Sequence, residues 1–349
     1  MAGAFHQQKE KKVKQTVAVT GATGKVGLHV VRHLLRAGYH VHVLARARPV
    51  AEHPLWRENF SLTIIDLATL PAGSIEQWLG AVRPCAVLHL AALADVGACE
   101  RQPSQAYLLN VSTTQTLARA CAAYNVHFIL LSTDYVFDGT LDPGLLYTEY
   151  HAVNALNTYG KSKVWAERIM QAECAQKTLW TICRTSMVYG SCPVQRPDFV
   201  RWVRTCLQER QALQVAQDQI NSPTAGIDLA RMLVAVVEQR LQGVYHLAGR
   251  TSISRYDFAL STARHYGLDE SLIRPVVTSR LEDSPQRPLN VGLCVDKITA
   301  ATGIAPMSLE EGLALTWLDD PARTGILSNA NPSRRWSAHA SREIQPVGL

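Results

Sequence analysis

Three glycines in Gly21-Ala-Thr-Gly24-Lys-Val-Gly27 follow the short apolar run Thr16–Thr20 and open an amphipathic segment. This placement, strand then glycine turn then helix, raises a glycine motif above chance. Gly21 permits the tight turn, Gly24 lets a pyrophosphate approach the backbone, and Gly27 allows the helix to close on the sheet. The free N–H groups and partial positive charge of the helix N-terminus suit an anion. The spacing is GxxGxxG rather than GxGxxG.

The same alternation continues down the chain. His40–Ala45, Leu62–Ile65, Ala86–Leu90, His127–Ser132 and Leu179–Arg184 read as further strands. Between them, Val26–Ala37, Ile75–Val82, Gln105–Tyr124 and Asn157–Ala175 carry apolar residues at helical spacing. Alternating strands and helices predict βαβ units and a doubly wound parallel α/β sheet. Beyond about residue 190 the pattern loosens into short helices near Phe199–Glu209 and Asp228–Gln239, a strand at Gly243–Ala248 and a last helix at Ser308–Leu318. The expected organisation is a flexible tail over 1–14, a dinucleotide-binding domain over 15–190 that takes back segments from the C-terminal half, a mainly substrate-binding region over 191–318, and a loosely ordered tail over 319–349.

Composition narrows the function classes. Of 349 residues 47% are hydrophobic and 18% charged, which predicts a substantial core. Half of the net charge of +6 comes from Lys9, Lys11, Lys12 and Lys14 against Glu10, so the rest of the chain has no basic groove for nucleic acid. No apolar run approaches the roughly 20 residues of a membrane span. The eight cysteines (Cys85, Cys99, Cys121, Cys174, Cys183, Cys192, Cys206 and Cys294) form neither CxxC pairs nor metal spacing, which points to a reducing, cytoplasmic compartment without a bound metal.

Cofactor choice is read at the end of the second strand. An acid there binds the ribose 2′-OH of NAD, whereas an arginine accommodates the 2′-phosphate of NADP. Here Val43-Leu44-Ala45-Arg46-Ala47-Arg48 has no acid, and Arg46, helped by Arg48 or Lys25, favours NADP(H) over NAD(H). Thr23 and Val26 complete the glycine turn. Asp66-Leu67 ends the third strand, where the carboxylate either accepts from the adenine amine or caps the next turn. Ala91-Ala92 leaves the fourth.

Tyr159 and Lys163 supply chemistry. One helical turn apart, they project from the same face. A free tyrosine has a pKa of about 10, and a neighbouring ammonium is expected to lower it, so that Tyr159 gives its proton to a carbonyl oxygen as hydride arrives. Ser132-Thr133, at the end of the fifth strand, is placed to position that oxygen.

Glycine turn, Ser132-Thr133 and Tyr159-x-x-x-Lys163 together resemble the extended short-chain dehydrogenase/reductase family. Ser132-Thr-Asp-Tyr-Val-Phe-Asp-Gly139, Ala155-Leu-Asn-Thr-Tyr-Gly-Lys-Ser-Lys163, Arg184-Thr-Ser-Met-Val-Tyr-Gly190, Asp218-Gln-Ile-Asn-Ser-Pro-Thr224 and Arg287-Pro-Leu-Asn290 follow in the order of its dTDP-4-dehydrorhamnose reductase branch. The resemblance covers about residues 16–318. It implies a Rossmann-type NAD(P)-binding domain with a small C-terminal α/β substrate domain, and reduction of the 4-keto group of a nucleotide-linked 6-deoxysugar. Thr133 would then bind the keto oxygen, Tyr159 protonate it and Lys163 hold the nicotinamide ribose. Asn110 would help order the site, and Asp134, Met187, Asp218, Gln219, Thr224, Arg287 and Asn290 would face the sugar nucleotide. A homodimer is an open expectation.

Departures concern the substrate. Ala91–Glu100 lacks the threonine and the Asp-Lys pair usual after the fourth strand, and Met187 replaces a common tryptophan. The Ser132–Gly139 segment also resembles the β subunit of methionine adenosyltransferase, an NADP-binding regulatory protein. A reductase or epimerase of another carbonyl compound is the third reading.

Overall fold

The computed structural model describes residues 15–51, 53–69, 73–190, 197–280 and 285–318. Both expected tails, Cys192 and Pro193 lie outside them. In chain order the first half runs β1 (Thr16–Thr20), α1 (Gly27–Arg36), β2 (His40–Ala45), β3 (Ser61–Ile64), α2 (Ser74–Val82), β4 (Ala86–His89), α3 (Val96–Arg101), α4 (Pro103–Tyr107), α5 (Thr113–Tyr124), β5 (His127–Thr133), α6 (Thr158–Cys174) and β6 (Trp180–Thr185). The second half continues with β7 (Val188–Tyr189), α7 (Phe199–Gln208), β8 (Leu213–Ala216), β9 (Ile220–Asn221), β10 (Thr224–Ala225), α8 (Gly226–Glu238), β11 (Gly243–His246), β12 (Ile253–Ser254), α9 (Arg255–Tyr266), β13 (Ile273–Val276), α10 (Asp296–Thr302) and α11 (Leu309–Leu318).

The central sheet has seven strands in the order β11-β6-β5-β4-β1-β2-β3, all parallel. Strand side chains alternate between the faces. Val17, Val19, Val41, Val43, Leu88 and Ile129 face a core built with α1 and α8. Ala18, Leu44, Val87, Phe128 and Leu130 face a second core built with α2, α5 and α6. A sheet buried on both faces requires near-continuous apolar strands, as observed. Strand order reverses between β1 and β4, and that switch point marks where an open α/β sheet binds its ligand.

One expected helix is interrupted. Within Gln105–Tyr124, a π-helical turn over Leu108–Ser112 separates α4 from α5. The wider turn brings Asn110 inward, and such insertions concentrate at functional sites. The smaller lobe packs α7 and α9 against the β8–β13 pair, while β11 and α8 return to the main sheet. Among the described residues no helix is long and apolar enough to cross a membrane.

Candidate active site

The glycine turn meets the end of β4. Gly21 has φ +71°, and a Cβ there would lie 2.6 Å from Ala91 N. A Cβ at Gly24 would come 3.1 Å from Gly21 O, and one at Gly27 2.2 Å from Ala22 O. Helix α1 then begins with neither a side-chain cap nor an acidic residue in its first turn. Its N–H end therefore stays open to an anion. Thr23 and Lys25 lie within this turn, and Val26 is buried in the core beneath it. Arg46 stands exposed just past β2, Leu67 packs partly into the core, Ala91 is half-buried and Ala92 is exposed. These features fit a dinucleotide with a phosphorylated ribose. Asp66 caps its own turn, accepting the Ala68 N–H at 2.9 Å.

Helix α6 carries both Tyr159 and Lys163. Asn157 caps it by accepting the Gly160 N–H at 2.8 Å. Gly160 lets the helix press on the preceding segment, because a Cβ there would lie 2.2 Å from Tyr135 O. Asn110 ties this helix to the loop after β4. Its oxygen accepts the Leu93 N–H at 2.8 Å, and its amide donates to Leu93 O at 3.1 Å and to Ser162 Oγ at 2.9 Å. Ser162 in turn donates to Tyr159 O at 2.7 Å.

The Thr133 hydroxyl lies close enough to Tyr159 to act on its phenol. Lys163 is buried, and burial drives its ammonium down to about 8, opposed by the charge of Glu167. The expected lowering of the Tyr159 pKa by Lys163 is not realised. Burial instead pushes the phenol above its ordinary value; the Thr133 hydrogen bond opposes this and the Asp134 charge adds to it. Beneath the pair lies a buried network: Glu167 accepts Ser132 Oγ at 2.5 Å, Arg184 Nε at 3.1 Å and Arg184 Nη2 at 2.7 Å.

Several residues expected at the substrate carry hydrogen bonds within the protein. Asp134 is 2% exposed and accepts Thr133, Ser186 and Asn221. Asp218 accepts the Thr278 N–H and hydroxyl, and Gln219 donates to the same hydroxyl. Thr224 bonds Ser222 O and the Gly249 N–H; Asn290 donates to Leu141 O and Asp142 O. Asp134, Gln219, Thr224 and Asn290 are buried and Asp218 half-buried, and their bonds join segments of the lobe. Met187 occupies the left-handed region at φ +40°, where a non-glycine residue is strained, and its carbonyl accepts the Thr224 N–H.

Arg287 does retain an unpartnered group: its Nε is buried without a hydrogen bond among the described residues. Its charge reaches Arg255, a residue that the sequence motifs did not single out. Arg255 donates to the Tyr135 hydroxyl at 3.1 Å, and the Tyr135 ring stands 6.2 Å from that of Tyr159. The hint lay in Ser254-Arg-Tyr-Asp257, a helix start whose first residue is basic, against the usual preference for acids there.

Similarity to known proteins points the same way. The dTDP-4-dehydrorhamnose reductase of Aggregatibacter actinomycetemcomitans is 29% identical over 306 residues, 84% of this chain and 96% of that one. Methionine adenosyltransferase 2 subunit beta of Xenopus tropicalis is 29% identical over 293 residues, 80% of each chain. A dTDP-4-dehydrorhamnose reductase from Bacillus anthracis, solved in complex with NADP, superposes with a TM-score of 0.77 at 25% identity, covering 88% of this chain and all of its own. Residues 15–319 match the family described as RmlD substrate binding domain, and the chain belongs to that family.

Proposed function

We propose that this protein is an NADPH-dependent oxidoreductase that reduces the 4-keto group of a nucleotide-linked 6-deoxysugar. The observation that carries the reading is buried Lys163 one helical turn from Tyr159 on α6, with Thr133 at the end of β5 close enough to act on the phenol. The Gly21 turn and the start of α1 would hold the pyrophosphate, Arg46 the 2′-phosphate and Lys163 the nicotinamide ribose, with NAD(H) a poorer fit at Arg46. When bound, the cofactor supplies hydride to the carbonyl carbon. Thr133 and Tyr159 orient the carbonyl oxygen, and Tyr159 gives it a proton. Arg255 and Arg287 are the cations available to a substrate diphosphate. The described cysteines are free, as suits a reducing cytoplasm.

A panel of keto-sugar nucleotides followed by NADPH absorbance tests the reading. Turnover is expected with a 4-keto-6-deoxyhexose, and Tyr159→Phe should abolish it while sparing NADPH binding. NADPH binding without turnover on any keto sugar would overturn it in favour of a regulatory subunit, the reading that the likeness to methionine adenosyltransferase 2 subunit beta supports. Size-exclusion chromatography reads whether the chain pairs as a homodimer.

A further inference from the structure

Asn157 uses both ends of its side-chain amide. Buried at 3% exposure, it caps α6 by accepting the Gly160 N–H at Oδ1, while its Nδ2 donates to Gln286 O at 2.9 Å. A helix cap needs only an acceptor, which serine, threonine or aspartate supplies as well. The donated bond is therefore a separate role of this side chain. It crosses from the start of α6, just before Tyr159, to a segment 129 residues further along the chain.

Gln286 O and the Arg287 N–H belong to one planar peptide unit, so this bond fixes the backbone from which the Arg287 side chain departs. The stretch is stiff: Pro285 and Pro288 fix their own φ, and Pro288 also restricts Arg287 before it. Beyond it the chain is anchored to other segments. Leu289 O accepts the Ile220 N–H at 2.6 Å, and the Asn290 N–H donates to Gly139 O at 3.2 Å. Gly139 admits this close approach, since a Cβ there would lie 2.6 Å from Leu289 N. Among the described residues, the bond from Asn157 is the one hydrogen bond made to residues 285–288. The Arg287 Nε that this backbone carries is buried without a hydrogen bond among the described residues.

We propose that Asn157 is a positioning residue for the substrate, tying the backbone of Arg287 to the first turn of the helix that carries Tyr159. The proposal rests on the reading that Arg287 receives the diphosphate of a sugar nucleotide. Such a substrate is gripped at one end and reacts at the other. Its keto oxygen reaches Tyr159 productively when cation and acid keep a set separation. A cap that also holds the cation's backbone builds that separation into one side chain. Serine or threonine at this position would still cap α6 but would have no amide to give Gln286 O.

The test is a double-mutant cycle on the full chain loaded with NADPH, read by calorimetric titration with dTDP, UDP and GDP as diphosphate probes. Asn157→Ser keeps a capping oxygen and removes the amide donor. It should weaken the best-bound diphosphate about fivefold, an ordinary coupling between members of one network, while NADPH binding is retained. Arg287→Ala should weaken that diphosphate further. In the Arg287→Ala background Asn157→Ser should add nothing, because no guanidinium is left to place. A merely structural Asn157 would cost the same factor in both backgrounds, and that result would overturn the proposal. So would an unchanged affinity in Asn157→Ser, a loss of NADPH binding in step with that of the diphosphate, or no diphosphate binding to the parent protein. Thermal melting checks that the cap persists. If Asn157→Ser does not fold, Asn157→Thr, a second cap without an amide, takes its place in the cycle. No reduction enters the measurement, so the expected cycle without turnover on any keto sugar would sink the proposed reductase and leave this assignment standing.

Discussion

Glu100 holds the first turn of α6 from outside: its carboxylate accepts the Thr158 N–H at 2.6 Å and the Thr158 hydroxyl at 2.8 Å. The next residue is Tyr159. A negative charge at this end also complements the helix dipole. Replacing Glu100 with Ala should cost about 1 kcal/mol of stability, the usual cost of losing a cap, and lower turnover severalfold. Thermal denaturation and steady-state rates check this. An unchanged melting temperature would remove Glu100 from the helix start.

Arg46 should decide between the two nicotinamide cofactors. It is exposed just past the end of β2, and the strand end Val43–Arg48 contains no acid. Arg46→Ala should weaken NADPH binding about tenfold, consistent with loss of a charge-assisted hydrogen bond of ~1.5 kcal/mol, and leave NADH binding unaltered. Fluorescence titration with both cofactors measures the ratio. Equal losses for the two would place Arg46 away from the 2′-phosphate.

Glu167 and Arg184 form a buried ion pair, with side-chain exposures of 5% and 6%. Truncating one partner leaves the other charge uncompensated, at about 3–5 kcal/mol. Glu167→Ala should therefore destabilise the protein strongly and release Ser132. Glu167→Gln, which keeps the acceptor oxygen, should cost less. Chemical denaturation compares them, and equal losses would mean that packing rather than charge dominates.

Acid should destabilise the fold through its buried histidines. Burial holds His89 and His246 down to about 3 and His127 to about 4, with the charges of Lys163, Arg184 and Arg240 respectively adding to the effect. In the unfolded chain each titrates near its ordinary value of 6.5. Between those limits the unfolded state binds more protons, so stability is present above 6.5 and falls as the pH drops toward 3–4. Melting temperatures measured from neutral pH downward should decline across this window, and less steeply in His246→Gln. A flat profile would contradict the burial of these rings.

Local pattern carried much of this molecule. Apolar runs of strand length alternating with helical periodicity marked the seven-stranded parallel sheet, save that its last strand returns from the second half of the chain. The glycine turn before α1 and the helix that carries Tyr159 and Lys163 were legible because both depend on spacings of a few residues. The π-helical turn at Asn110 was not, since an inserted residue leaves the apolar periodicity on either side almost intact.

Asp134 shows where sequence stops. Its partner Asn221 lies 87 residues away, and the bond between them follows from the packing of two lobes. Asp218 and Asn290 behave likewise, and Arg255 reaches Tyr135 across 120 residues. Short-range periodicity and backbone freedom were enough to set the sheet, the glycine turn and the helix that carries Tyr159 and Lys163, so these could be read from the chain itself. Which polar side chains are left for a ligand depends instead on long-range packing, because a buried donor or acceptor is claimed by whichever partner the fold brings to it.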